Sequence, residues 1–363
     1  MKFSINKDIL LQTAQLVQNA INTKSNLPIL SNILIDAEPE RIILTATDLD
    51  IGITSEIPVK SLIQGSITVP AKKFLDIIKE LPNEETLITV KKNNIINIDC
   101  KNTSLKLMGL SKEEFPQLPH FQDKDFVILP QRKLKQMLSL TSFAISSDET
   151  RYVLNGILCI IKPSYIRLVA TDGRRLAVAE TPMQFPKSKE TKTIIPTKTV
   201  QELSRMLTNE GEVKVYFSKN QIAFDFGATK IISRIIEGDF PNYEQVIPKE
   251  TKEKIKVSRD VFLSATKRAN IFTNQNSIAV KVALSCDKMV ISKNDSYVGE
   301  IREELNVEYK GKDITIGFNP EYLIDVLKAV DEETLNFEVT DSEKPAAFRI
   351  GKEYVYVVLP MQL

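Results

Sequence analysis

Lys2–Ile21 reads KFSINKDILLQTAQLVQNAI, a short alternating strand running into an amphipathic helix, and the chain repeats that pattern twice more. Asp125–Ile145 reads DFVILPQRKLKQMLSLTSFAI, and Lys254–Phe272 reads KIKVSRDVFLSATKRANIF. In the first segment Leu10, Ala14, Val17 and Ile21 fall at helical spacing, as do Phe262, Ala265, Ala269 and Phe272 in the third. Each segment is followed by a second strand-to-helix step. These are Thr68–Leu81 (TVPAKKFLDIIKEL), Ile194–Leu207 (IIPTKTVQELSRML) and Ile316–Val330 (IGFNPEYLIDVLKAV). Pro70, Pro196 and Pro320 sit near the helix starts, where a missing N–H costs least. Phe74, Ile77, Ile78 and Leu81 form an i, i+3, i+4, i+7 stripe, repeated by Leu323, Val326, Leu327 and Val330.

Two shorter echoes fix the register between the first two copies. Ala46–Thr47–Asp48 returns as Ala170–Thr171–Asp172, and Phe115–Pro116 returns as Phe240–Pro241, both after about 125 residues. Between these landmarks run short alternating strands: Thr86–Val90, Ile95–Cys100 and Ser104–Met108, then Val213–Phe217, Ile222–Phe226 and Thr229–Ile235. The pattern predicts three α+β units, each with two helices and antiparallel strands. Units this large do not stack as a solenoid. An arc is expected, and two chains meeting end to end give a ring if the rotation closes or a filament if it does not.

Composition sets the outer limits. The chain has 363 residues, of which 42% are hydrophobic, enough for real cores. Charged residues make up 26% and nearly cancel to a formal charge of +1. Contact with nucleic acid therefore has to be local, from cations gathered on one surface. Cys100, Cys159 and Cys286 are far apart, which argues against a disulfide scaffold or a zinc site and fits a reducing compartment. The opening MKFSINKDILLQ has no signal-peptide core, and no stretch approaches the roughly 18 to 20 apolar residues that span a bilayer. A soluble cytoplasmic protein is expected.

The inventory for chemistry is thin. Gly311–Lys312 lacks the upstream glycine and the hydroxyl of a phosphate loop, and no GxGxxG, HExxH or GxSxG occurs. His120 is the only histidine and reads as a surface-loop residue. Asp48, Asp50 and Asp172 resemble an acid–base or metal set on paper, but turn and capping roles account for them better. No catalytic residue, cofactor or metal is expected.

The chain resembles, end to end, the β subunit of bacterial DNA polymerase III, the DNA sliding clamp. The residues that carry the likeness are MKFSI at the start, Leu27–Leu30 (LPIL) with Asn32, Thr45–Asp48 and Val69–Phe74 (VPAKKF). Further along come Arg151–Gly156 (RYVLNG), Ala170–Val178 (ATDGRRLAV), Phe240–Tyr243 with Pro248, Gly317–Asn319, Thr340–Ser342 and Leu359–Leu363 (LPMQL). The resemblance implies three clamp domains, set here at 1–120, 125–248 and 253–363. It also implies a head-to-tail homodimer closing into a pseudo-six-fold ring around duplex DNA, contacted without regard to sequence. The implied partners are the polymerase III catalytic subunit, the clamp loader, and other polymerases, mismatch repair proteins and ligase through clamp-binding motifs. A scaffold that binds peptides without threading DNA is the alternative reading, and a carboxylate-dependent hydrolase a weaker third.

Residue by residue, the resemblance distributes three surfaces. Weak phosphate contact is expected from Lys7, Lys72, Lys133, Lys135, Lys198, Arg205, Lys267 and Arg268 on or beside the six helices, and from Lys24 on a loop. Each lysine alone also reads as part of a solvated face. Ring closure is expected to join Lys73, Leu105 and Leu107 to Ile271, Phe272, Glu300, Glu303 and Glu304. Without the family, Leu105 and Leu107 read equally well as core. The tail Val358–Leu363 is apolar to its last residue, so it is either packed into its own domain or one wall of a groove. The resemblance favours a groove for short hydrophobic peptides. It comprises Leu154, Thr171, Gly173, Arg174, Arg175, Leu176, Pro241, Val246, Asn319, Tyr322, Pro345, Val358, Leu359, Pro360, Met361 and Leu363. Arg174, Glu343 and Gln362 depart from the family pattern and bear on which peptides the groove prefers.

Overall fold

The structure is a computed structural model that describes residues 1–22, 27–91, 93–119, 126–185, 190–249, 251, 253–275 and 277–363. Lys24, His120 and Asp125 lie outside the described residues. Six α-helices occur among those described: α1 (Lys7–Gln18), α2 (Ala71–Glu80), α3 (Gln131–Thr141), α4 (Thr197–Met206), α5 (Arg259–Asn270) and α6 (Pro320–Ala329). None is long and apolar enough to cross a membrane.

The helices begin where local chemistry starts them. The Asn6 side chain accepts from the N–H groups of Asp8 (2.9 Å) and Ile9 (3.4 Å), capping α1. Asn319 caps α6 by accepting from the Glu321 N–H, and Pro320 takes the first helical position. Pro70 and Pro196 stand one residue earlier, as the extended residues before α2 and α4. The buried faces follow the apolar spacing: Leu10, Ala14 and Val17 in α1, Phe74 and Ile78 in α2, Phe262, Ala265 and Ala269 in α5. Ile21 and Phe272 fall beyond their helix ends and are half-buried.

The chain divides into two compact units. The first comprises Met1–Gln131 and Glu210–Ile235. It contains a five-stranded antiparallel sheet in the order Ser61–Ile63, Lys2–Asn6, Glu85–Val90, Ile95–Cys100, Thr103–Met108. Its second sheet has eight strands, in the order Phe126–Pro130, Glu212–Phe217, Gln221–Asp225, Thr229–Arg234, Ile51–Pro58, Arg41–Thr47, Asn32–Ala37, Gly65–Pro70. α1 packs on α2 and on strands of the larger sheet, with Leu10, Val17, Ile33, Ile35 and Phe74 fully buried.

The second unit comprises Arg132–Asn209 and Ile236–Leu363. Its eight-stranded sheet runs Thr191–Pro196, Gly156–Lys162, Tyr165–Thr171, Arg175–Pro182, Tyr354–Val358, Ala346–Ile350, Thr334–Val339, Glu253–Ser258. A four-stranded sheet follows the order Gly299–Asn306, Lys288–Asp295, Val280–Ser285, Ile314–Phe318. α5 lies against α6, and Phe262, Phe337 and Phe348 cluster with ring centroids 4.8 to 6.3 Å apart.

The repeat is preserved in the hydrogen-bond register. The ladder from Arg41↔Pro58 to Thr47↔Gly52 recurs as Tyr165↔Pro182 to Thr171↔Leu176. Neighbouring copies are joined through their sheets. Ile51–Pro58 of the first copy pairs with Thr229–Arg234 of the second, and Arg175–Pro182 of the second pairs with Tyr354–Val358 of the third. Each eight-stranded sheet is therefore half one copy and half the next. The periodicity along the chain does not reveal this, because the paired strands are remote in sequence.

Candidate functional site

The site grows from one of these junctions. Thr171–Asp172–Gly173 closes the hairpin between Tyr165–Thr171 and Arg175–Pro182. The Asp172 carboxylate accepts from the N–H groups of Arg174 (2.8 Å) and Arg175 (3.0 Å), and the Thr171 hydroxyl donates to the Arg175 carbonyl at 2.5 Å. Gly173 adopts φ +87°, which a side chain resists. The first copy makes the same turn: Asp48 accepts from Asp50 and Ile51, and Leu49 takes φ +79°. In the third copy Asp295 accepts from Tyr297 and Val298. Asp172 is thus a turn residue, like its two counterparts.

Only the middle copy places an arginine directly after this turn, and that side chain organises the site. Arg175 donates from Nε to Asp172 (3.0 Å), from Nη1 to Asp325 on α6 (2.5 Å) and from Nη2 to the Phe143 carbonyl (2.6 Å). Its guanidinium lies 4.5 Å from the centroid of the Tyr322 ring and 5.6 Å from that of Phe143. The Tyr356 hydroxyl donates to the Tyr322 carbonyl at 2.8 Å, tethering α6 to the sheet. Burial pushes the Tyr356 phenol far above its ordinary value, so it remains a donor at any working pH. Phe143, Asp325 and Tyr356 do not stand out in the sequence as site residues. Their signal is the geometry around Arg175.

The C-terminal tail is held by backbone. The Leu359 N–H donates to the Arg174 carbonyl (3.0 Å), and the Met361 N–H donates to the Gly317 carbonyl (2.8 Å). A Cβ on Gly317 would meet the Met361 carbonyl oxygen at 2.4 Å, so the tail approaches there only because Gly317 is bare. Leu154, Leu176, Asn319 and Val358 are buried as the frame, with Thr171, Arg175, Tyr322, Pro345, Pro360 and Met361 half-buried. Gly173, Arg174, Pro241, Val246, Leu359 and Leu363 are exposed, Leu363 by 67%. Val246 and Pro345 also line a cavity of about 510 Å³ with Ile247, Pro248 and Thr340. The arrangement presents apolar side chains beside the backbone of the tail, a surface suited to an extended hydrophobic peptide. Among the described residues, no group of His, Cys, Asp and Glu could hold a metal ion.

The candidate phosphate-contacting cations differ in how free they are. Lys72, Lys133 and Lys267 are exposed on α2, α3 and α5, and Lys135 and Lys198 are half-buried. Lys7 lies 3.6 Å from Asp8. Arg205 donates to Glu202, whose carboxylate is only 3% exposed, and Arg268 makes a two-pronged contact with Glu303. Those bonds hold the Glu303 carboxyl below its ordinary value. Lys73 is exposed on α2, Leu105 and Leu107 are half-buried on the sheet-edge strand Thr103–Met108, and Ile271 is 70% exposed beside half-buried Phe272. Glu300 and Glu304 are exposed on Gly299–Asn306, itself the end strand of its sheet.

Comparison with known proteins covers the whole chain. Models of the DNA polymerase III beta subunit match it in three successive parts: the N-terminal domain over residues 1–119, the central domain over 128–242 and the C-terminal domain over 244–362. The beta sliding clamp of Chlamydia pneumoniae is 31% identical over 363 residues, covering all of this chain and 99% of that protein. That of Pseudomonas aeruginosa is 33% identical over 368 residues, covering both in full. The DNA polymerase sliding clamp of Bacillus subtilis superposes with a TM-score of 0.97 at 29% identity, over 100% of this chain and 99% of that one. A Pseudomonas aeruginosa sliding clamp bound to griselimycin gives 0.95 at 33% identity, over both chains in full.

Proposed function

Because the chain belongs to the DNA polymerase III beta subunit family, the bacterial sliding clamps, we propose that two copies close head to tail into a ring that tethers the replicative polymerase to DNA. The family is one of non-catalytic processivity factors, and this chain is a sliding clamp rather than an enzyme. The three domains are taken as residues 1–120, 125–248 and 253–363. The ring is placed in the cytoplasm.

The observation that carries the ring is the repeated sheet junction. By register, Ile51–Pro58 and Arg175–Pro182 correspond to Gly299–Asn306 in the third copy, since Ala46↔Ile53 and Ala170↔Ala177 match Lys293↔Ile301. Likewise Thr229–Arg234 and Tyr354–Val358 correspond to Thr103–Met108 in the first copy. The first two pairs form junctions within the chain. The third pair consists of two sheet-end strands with no neighbour on their outer sides among the described residues. Joining them between chains repeats the same junction and closes both edges at once. In the two existing junctions Ile231 lies opposite Ile53 and Tyr356 opposite Ala177, and both Ile231 and Tyr356 are fully buried. The corresponding pair between chains is Ile301 with Leu105 of a second copy, each half-buried in one chain alone.

Lys7, Lys72, Lys133, Lys135, Lys198, Arg205, Lys267 and Arg268 supply the weak, salt-sensitive phosphate contact that lets a tether slide. The groove around Arg175, Tyr322 and the tail takes the extended motifs of the polymerase, the clamp loader, and repair proteins and ligase. A relative of the same architecture in complex with griselimycin is consistent with a ligand-accepting surface. Sedimentation at micromolar concentration tests the ring: a species near twice 41.0 kDa is expected. That species should be retained on circular DNA and released when the DNA is cut. A strict monomer overturns the ring and favours a peptide-binding scaffold.

A further inference from the structure

A cavity of about 760 Å³ lies in the first compact unit, between the segment Lys112–Pro119 and one face of the eight-stranded sheet. Its apolar lining includes Leu34, Ile43, Phe115, Pro116 and Leu118. Leu118 reaches the sheet because Gly52 has no side chain, a Cβ there falling 2.6 Å from a Leu118 methyl carbon. The cavity carries five carboxylates (Asp36, Glu38, Glu56, Glu113 and Asp225) against three cations (Arg41, Lys112 and Lys230). All three cations are engaged: Arg41 with Glu38 (2.7 Å) and Glu56 (2.8 Å), Lys230 with Asp225 (3.3 Å), and Lys112 with the Ser66 hydroxyl (3.3 Å). Asp36 has no cationic partner among the described residues.

The second copy shows what a cation does at this place in the fold. Across three neighbouring strands of the first copy, Asp36, Ile43 and Glu56 form one row, reading anion, neutral, anion. The same row in the second copy is Ile160, Arg167 and Glu180, reading neutral, cation, anion. There Arg167 donates to Glu180 (2.7 Å), to the Tyr243 hydroxyl (2.9 Å) and to Glu244 (3.0 Å), and its guanidinium lies 5.0 Å from the Tyr165 ring centroid. It ties the following linker to the sheet, and the cavity left there is about 350 Å³. In the first copy the middle of the row is Ile43, Glu56 takes its guanidinium from Arg41 two residues away on the same strand, a carboxylate has been added at Asp36, and the space has roughly doubled.

We propose that this cavity receives an arginine side chain from an extended segment of a partner protein. The guanidinium sits over Ile43 against Asp36, and its methylene stem lies on Phe115, Pro116 and Leu118. Asp36 and Ile43 are paired on adjacent strands about 4.8 Å apart, so a guanidinium lying over Ile43 is within reach of the Asp36 carboxylate. The aliphatic stem covers apolar lining while the charged head meets the excess carboxylates.

The probe is a fluorescein-labelled acetyl-Gly-Leu-Arg-Leu-Gly-amide, titrated against the full chain by anisotropy, with the citrulline peptide as its neutral isostere. The arginyl peptide is expected to bind at least about tenfold more tightly than the citrulline peptide, and Asp36→Asn to remove about the same factor. Ile43→Arg, which installs the guanidinium that Arg167 provides in the second copy, should abolish binding by filling the cavity from within. Leu363→Asp, in the tail, should leave it unchanged. Equal binding of the two peptides overturns the proposal, as does binding that survives Ile43→Arg or is lost in Leu363→Asp. The proposal does not depend on ring closure, so a monomeric protein that binds the arginyl peptide would refute the ring and leave the cavity's role intact.

Discussion

Arg175→Met is the most informative single change at the groove. The guanidinium side chain is 10% exposed and makes two charge-assisted bonds, to Asp172 and Asp325, with a third to the Phe143 carbonyl. A hydrogen bond to a charged group contributes about 1.5 to 3 kcal/mol. Two such bonds set an upper value of about 6 kcal/mol, and the Phe143 carbonyl adds the desolvation of one unsatisfied acceptor. The carboxylates moderate this: Asp325 is 34% exposed and Asp172 17%, so water replaces part of what is lost. Methionine also refills much of the apolar contact with Tyr322 and Phe143. The expected loss is about 3 kcal/mol, read as a fall in the urea midpoint of the transition that buries Tyr356. Affinity for a hydrophobic clamp-binding peptide should drop about tenfold as the Tyr322 ring loses its cationic face. Adding Asp325→Asn should cost little more, because the two residues act through one bond. A loss below about 1 kcal/mol, or full additivity of the two changes, would refute the claim that Arg175 organises the groove.

Other expectations are simpler to state. Ile271→Asp with Phe272→Asp should convert the dimer to monomer on sedimentation; a dimer of undiminished affinity would reject that part of the interface. Replacing Lys72, Lys133, Lys198 and Lys267 together by alanine should weaken loading onto circular DNA and flatten its dependence on salt, with dimer mass unchanged. Native protein should react with a thiol reagent mainly at exposed Cys286, since Cys100 and Cys159 are buried and burial pushes the Cys159 thiol up to about 12. Two or three reactive thiols before denaturation would contradict this. The N–H groups of Tyr297 and Val298 hold the Asp295 carboxyl below its ordinary value. Its contribution to stability is therefore present above the unfolded value of about 3.9 and lost as pH falls through the lower folded value. Asp295→Asn should destabilise at pH 6, with the difference from the parent shrinking in acid; a difference independent of pH would argue against it.

Much of this was legible along the chain because it is local. The six helices follow from apolar residues at i, i+3 and i+4, and from Asn6 and Asn319 as caps, interactions that span a few residues. The strand Ile95–Cys100 was legible to the residue, and Thr86–Val90 and Ser104–Met108 to within one residue of the observed Glu85–Val90 and Thr103–Met108. The recurring Ala–Thr–Asp triplet marked a repeated turn, and the structure shows its cause in the Asp48 and Asp172 carboxylates.

Tertiary structure alone decided how the copies join and what the groove rests on. Ser55 and Thr229 share a hydroxyl contact at 2.9 Å across 174 residues, and no local pattern encodes that pairing. Arg175 meets Asp325 across 150 residues, so neither could be assigned its partner before the sheet brought α6 beside the turn. The exchange of Arg167 for Ile43 is plain in the letters, yet only the aligned strands show that it sets Asp36, which has no cationic partner among the described residues, beside a cavity. Periodicity specifies elements because it acts within a turn of helix or a pleat of strand. Junctions and sites arise where distant segments bury one another, and chain proximity carries no record of that.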